Sequence, residues 1–132
     1  MAFDQTITNG IVCLTFHGIL DAEDLRRGAE LFARMEADLE PSPNRMADLS
    51  AVDRMDVDFG AVEALAAVRR IAPLKNKVKS AIIAPKPVLY GFARMFQTLN
   101  DNPAITLKIF RDRDMGWAWL NETTGGDEGN AG

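Results

Sequence analysis

Two hydrophobic periods alternate along the chain. QTITNGIVCLTFHG, residues 5–18, holds two short runs of strand-forming residues on either side of Asn9-Gly10. That pattern predicts two strands joined by the dipeptide that accepts the positive φ angles of a tight hairpin turn. In the second strand Val12, Leu14 and Phe16 share one face, and Ile11, Cys13, Thr15 and His17 share the other. Such a strand is expected to be covered on both sides for much of its length, and so to lie inside the sheet.

From Asp21 the period lengthens. Leu25, Ala29, Phe32, Met35 and Leu39 recur at three- and four-residue spacings, with Glu23, Arg26, Arg27, Glu30 and Arg34 between them. This predicts an amphipathic helix lying on a sheet face, with Asp21 capping its first turn. The two prolines of EPSPN end it, because neither can continue the hydrogen-bond ladder.

RMADLS reads as a short strand, followed by an aspartate-rich turn and a second helix marked by Val62, Leu65, Val68 and Ala72, which stops at Pro73. KSAIIA is a buried strand. In the third helix Val88, Leu89, Tyr90, Phe92, Met95, Phe96 and Leu99 make an almost unbroken apolar stripe, and Pro87 suits its first turn. AITLKIF supplies a last strand and RDRDMGWAWLN a short terminal helix. Residues 122–132, ETTGGDEGNAG, are expected to form a disordered polar tail outside a domain spanning residues 1–121. Later strands alternate with helices. The expected fold is therefore α/β: a mostly parallel mixed sheet of about five strands, opened by an antiparallel hairpin, with about four helices.

A chain of 132 residues, 47% hydrophobic and 26% charged, fits one ordinary folded domain. Its net charge of −4 argues against a general grip on nucleic acid, which needs a basic face to displace phosphate counterions. With Cys13 alone, neither an internal disulfide nor a cysteine zinc site can form, which suits a reducing cytoplasm. MAFDQTITNG has no basic and apolar leader pattern, and nowhere do eighteen apolar residues run together. The expectation is a cytoplasmic protein that does not span a membrane.

Two stretches carry a family resemblance. DLSAVDRMD, residues 48–56, resembles the DLS.V..(I/M)D signature of sulfate transporter and anti-sigma factor antagonist (STAS) domains, and it lies where that signature belongs, between a strand and the second helix. LKIFRDRDMGWAWLN, residues 107–121, is similar to the vF.d...A..WL ending of the SpoIIAA-like proteins, also called STAS/SEC14-like. With the matching order of elements, the likeness covers roughly residues 5–121.

The resemblance implies a non-catalytic regulatory module that binds a protein partner of the anti-sigma or kinase kind. In such modules a serine at the start of the second helix is phosphorylated to break the contact. Here the corresponding run is Asp56, Val57, Asp58, Phe59, with Gly60 one place late, and Asp58 occupies the phosphoacceptor position. A carboxylate there meets unpaired amide hydrogens and the positive end of the helix dipole. It serves either as a fixed negative charge or simply as a helix cap, with Ala61 at the third helical position. Ser50, Asp53, Asp56, Asp58 and Phe59 are the expected partner-binding residues. The SEC14 likeness implies the alternative, a small hydrophobic ligand or lipid held by Phe92, Met95 and Phe96, and the wide third helix also suits a homodimer.

Catalytic raw material is thin. His17 is the sole histidine, and Cys13, four residues along the same strand face, lies on the order of 13 Å away, too far for direct proton transfer. Packing is the expected role of both. Asp48, Asp53, Asp56 and Asp58 could converge on magnesium, but no phosphate-cradling glycine loop accompanies them, and no catalytic residue, metal or cofactor is expected. Arg69, Arg70, Lys75, Lys77 and Lys79 form a basic run that reads as a solvated loop or as a docking patch for an acidic partner. Trp119, which matches the family tryptophan, is expected to pack inward with Leu120 and to leave Trp117 freer. Gly116 stands where the family prefers alanine, at a cost to the helix of about 1 kcal/mol at most.

Overall fold

The computed structural model describes residues 3–70 and 74–122. Asn9 and Gly10 take φ of 53° and 76°, and the turn they make pairs β1 (Phe3–Thr8) with β2 (Ile11–Asp21) from Thr8↔Ile11 to Phe3↔Phe16. Next come α1 (Ala22–Asp38), β3 (Arg45–Asp56), α2 (Phe59–Arg70), β4 (Val78–Ile83), α3 (Pro87–Leu99), β5 (Ile105–Phe110) and α4 (Arg113–Leu120). The sheet runs β1-β2-β3-β4-β5, antiparallel between the first two strands and parallel elsewhere. The expected α/β architecture is the observed one, with β2 inside the sheet. Glu122 is exposed, and the rest of the proposed tail lies outside the described residues, as do Ala72 and Pro73.

Strand alternation divides the core in two. Leu14 and Phe16 of β2, Leu49 of β3 and Ile82 of β4 face Leu89 and Ala93 of α3, together with Leu25 and Phe32 of α1. Cys13, Met46, Ala81 and Ile83 face the other way, under Trp119 and Leu120 of α4. Each fully buried leucine among these is worth about 1.5–3 kcal/mol in apolar surface removed from water. Trp119 packs inward as expected, while Trp117 is half-buried.

Three expectations need correction. The strand read as RMADLS extends to Asp56, so Asp53 and Asp56 belong to β3 and only Val57 and Asp58 make the turn. Beyond Asp48↔Ile83 this strand has no pairing with β4 and continues on β2 alone, as far as Asp21↔Asp56. In α1 the buried positions are Gly28 and Glu36, with Met35 half-buried and Leu39 exposed. A Cβ on Gly28 would stand 3.0 Å from Cζ of Phe16, and that close approach turns the helix onto this face. In α2 the inward face is Val62, Ala66 and Arg69, and Val68 is 61% exposed.

Gly116 also has a packing reason. A Cβ there would fall 2.6 Å from Cδ1 of Ile83 and 3.2 Å from Cε of Met46, so glycine lets α4 settle on the sheet. The helical propensity it gives up is offset by that contact.

Candidate functional site

The end of β3 and the start of α2 form one exposed acidic corner. Asp58 Oδ1 accepts a hydrogen bond from the Ala61 amide at 2.9 Å, satisfying one of the orphan donors of the first helical turn. The following residue, Phe59, is 53% exposed. Asp56, paired across the sheet with Asp21, sits beside the N-termini of both α1 and α2. Between these helices runs an apolar groove of about 450 Å³, lined by Ala29, Ala33, Ala61 and Ala64 together with Arg26 and Val68. Small side chains on facing positions leave the groove open.

The five residues expected to bind a partner are all exposed. They do not form one cluster: Asp56, Asp58 and Phe59 share the corner, whereas Ser50 lies six strand residues back, on the order of 20 Å. The Ser50 hydroxyl and amide both donate to Asp48 Oδ1, at 2.6 and 2.9 Å, and Arg113 meets the other carboxylate oxygen at 3.3 Å. Asp48 is only 1% exposed, so its carboxylate is held by these partners and turned away from the corner. Among the described residues no group of three or more histidine, cysteine, aspartate or glutamate side chains is placed to hold a metal.

A second feature lies under the helices. A half-open cavity of about 120 Å³ lies between α1, α2, α3 and the sheet, with Phe16, Leu49, Ile82, Phe92 and Phe96 in its walls. Phe92 and Phe96 are two of the three residues assigned to a hydrophobic ligand. Met95, the third, does not line the cavity: one residue before Phe96, it stands about 100° round the helix.

The polar part of this wall was not foreseen. Arg45 opens β3, Arg69 lies in the last turn of α2, and both donate to one oxygen of Glu36 on α1. All three are buried, with 3%, 4% and 6% exposure for Arg45, Arg69 and Glu36. Two guanidinium groups therefore share one carboxylate, leaving the cluster one positive charge in excess. Burial, and then the charge of Arg69, push the Arg45 guanidinium down to about 9, which keeps it protonated at neutral pH. Arg69 is likewise lowered by burial. Among the described residues three buried side-chain atoms lack a hydrogen-bond partner: Arg45 Nε, Asn100 Oδ1 and Trp119 Nε1. Arg45 and Asn100 both line the cavity. The available signal in the sequence was Glu36, four residues after Phe32 and so on the apolar face of α1.

The basic run is largely consumed inside the fold. Arg69 binds Glu36, Lys75 donates to the carbonyls of Ala37 and Leu39 at the end of α1, and Lys79 donates to the Trp119 carbonyl at the end of α4. Lys77 remains exposed, and the Arg70 side chain lies outside the described residues. His17 is exposed and 3.5 Å from Asp4, whereas Cys13 is buried, and burial raises its thiol above the usual range. A desolvated thiol held protonated is a poor nucleophile.

No protein-family model matches the chain, and no curated protein matches it in sequence. Solved structures match it in shape. A DUF3478-family protein with a SpoIIAA-like fold from Shewanella loihica PV-4 is 18% identical with a TM-score of 0.57, over 90% of this chain and 92% of that one. The unphosphorylated anti-sigma factor antagonist SpoIIAA gives 13% and 0.56, over 92% and 100%. An anti-sigma factor antagonist from Mycobacterium paratuberculosis gives 13% and 0.58, over 91% and 93%. These likenesses establish a SpoIIAA-like α/β fold for the chain. Among its described residues no helix is long and apolar enough to cross a membrane.

Proposed function

We propose that this chain is a non-catalytic regulatory module of the cytoplasm, which binds a protein partner through the end of β3, the Asp58 turn and α2. The observation that carries the reading is the open apolar groove between α1 and α2, with Phe59 half exposed on the first residue of α2 beside a capping aspartate. Exposed aromatic residues next to open apolar grooves are the common anchors of protein interfaces. The shared fold with two anti-sigma factor antagonists supports the choice of partner class.

On the STAS resemblance Asp58 stands in place of a regulated serine, and on this reading the contact is not switched by serine phosphorylation at that position. Asp53, Asp56 and Asp58 select a partner surface bearing basic side chains, and Ser50 marks the outer limit of the contact.

The test is capture of the partner from cell extract by the full chain, followed by capture with Val68→Arg and Asp58→Arg. Val68 is exposed and caps nothing, so its replacement by arginine is expected to abolish capture with an unchanged melting temperature. Capture that survives both substitutions overturns the reading.

A second reading, binding of a hydrophobic small molecule, is favoured by the cavity beneath Phe92 and Phe96. Native mass spectrometry of the gently purified chain, followed by organic extraction, tests it. Co-purified apolar material is the expected result, and a clean mass with no cavity binding of any apolar probe counts against it.

A further inference from the structure

The half-open cavity under the helices and the ion cluster in its wall belong together. We propose that the cavity takes a small monocarboxylate with a compact apolar body, its carboxylate paired with Arg45. This deepens the hydrophobic-ligand reading, on which it rests, by naming the head group and limiting the size.

Charge supplies the first argument. Glu36 neutralises one of the two buried guanidinium groups it touches, and an uncompensated charge is unfavourable in a low-dielectric interior. An anion entering from the cavity side removes that imbalance. Hydrogen bonding supplies the second: Arg45 Nε is a buried donor with no acceptor among the described residues, and it belongs to a residue of the cavity wall. Such groups are rare in native folds and mark a missing partner. A carboxylate oxygen is the acceptor a guanidinium edge fits best.

Volume supplies the third. At about 120 Å³ the space is close to the roughly 150 Å³ that admits a benzene ring in an engineered apolar cavity. A long acyl chain exceeds such a space, so the body held against these walls is that of a short or cyclic acid. An inorganic anion would answer Arg45 but leave Phe16, Phe92 and Phe96 facing empty space. Asn100 Oδ1, an acceptor without a donor in the same wall, accommodates a hydroxyl on the ligand body or a water carried in with it.

The experiment is a two-dimensional amide NMR titration of the full chain with sodium benzoate, benzyl alcohol and sodium phosphate. Benzoate is expected to give saturable shifts at Arg45, Ala93 and Phe96, with benzyl alcohol at least tenfold weaker and phosphate inert. Benzyl alcohol binding as tightly as benzoate overturns the carboxylate assignment and leaves the hydrophobic-ligand reading intact. Failure of both organic probes overturns both, and shifts with phosphate alone reassign the cluster to an inorganic ion. Phe96→Trp, which fills the cavity, is expected to abolish the benzoate response; an unchanged response places the probe elsewhere and overturns the proposal. The comparison of probes on the natural chain needs no substitution in the ion cluster and so does not depend on a variant that folds.

Discussion

Asp58 Oδ1 lies 2.9 Å from the amide nitrogen of Ala61, so a residue of the exposed acidic corner is also the N-cap of α2. Capping and charge are separable. Asp58→Ala is expected to lose about 1 kcal/mol of stability, while Asp58→Ser, which keeps an acceptor oxygen, is expected to lose only a few tenths. Urea midpoints at unchanged slope measure both. Equal stability of the two variants removes the capping role.

Two helical glycines should respond in opposite directions. Gly91, exposed in α3, has nothing within 4 Å of a would-be Cβ, so Gly91→Ala should stabilise the protein by up to about 1 kcal/mol. At Gly116 the same gain meets Ile83 and Met46, and overpacking of about 1–3 kcal/mol outweighs it. Thermal unfolding of the two variants side by side decides the matter; a stabilised Gly116→Ala would show that the sheet face yields freely.

Glu36→Gln should be among the most damaging single-atom changes in the chain. It leaves Arg45 and Arg69 facing one another without a counter-charge, a loss of about 3–5 kcal/mol. If high concentrations of benzoate restore part of that stability, the measurement also speaks for the anion site. A variant as stable as the parent would mean that water reaches the cluster.

Acid should weaken the start of α1. Hydrogen bonds from Arg26 and then Arg27 hold Glu23 down at about 2, below the ordinary value of 4.5. A depressed carboxylate contributes stability above its unfolded pKa, and that contribution fades as pH falls from about 4.5 towards 2. Glu23→Gln should flatten this part of the curve of melting temperature against pH. Because the pair is exposed, high salt should flatten it too, and a slope insensitive to both changes assigns it to another carboxylate.

Cys13 should be silent in the native state. Its side chain is fully buried and burial raises its thiol, so a disulfide reagent is expected to react only after denaturant unfolds the chain. Prompt labelling of the folded protein would reopen a chemical role for this residue.

Local rules determined a large part of this protein from sequence alone. Asn9-Gly10 sets the hairpin because few residues tolerate φ of 53° and 76° in succession, Asp21 and Asp58 start helices by accepting amide hydrogen bonds, and Pro87 opens α3. Each acts within a few residues of itself. The length of β3 was hidden because beyond Asp48 it pairs on one edge only, and an exposed half-strand of mixed polarity carries no alternating signal. Arg69 looked like part of a solvated basic run, yet α2 turns it to Glu36, 33 residues earlier in the chain. Met95 looked like a neighbour of Phe92 and Phe96, yet the cavity sits on their side of α3 and not on its own. Periodicity reports which residues avoid water; the rotation of each helix against the sheet decides which of them meet, and which stop short and leave a space.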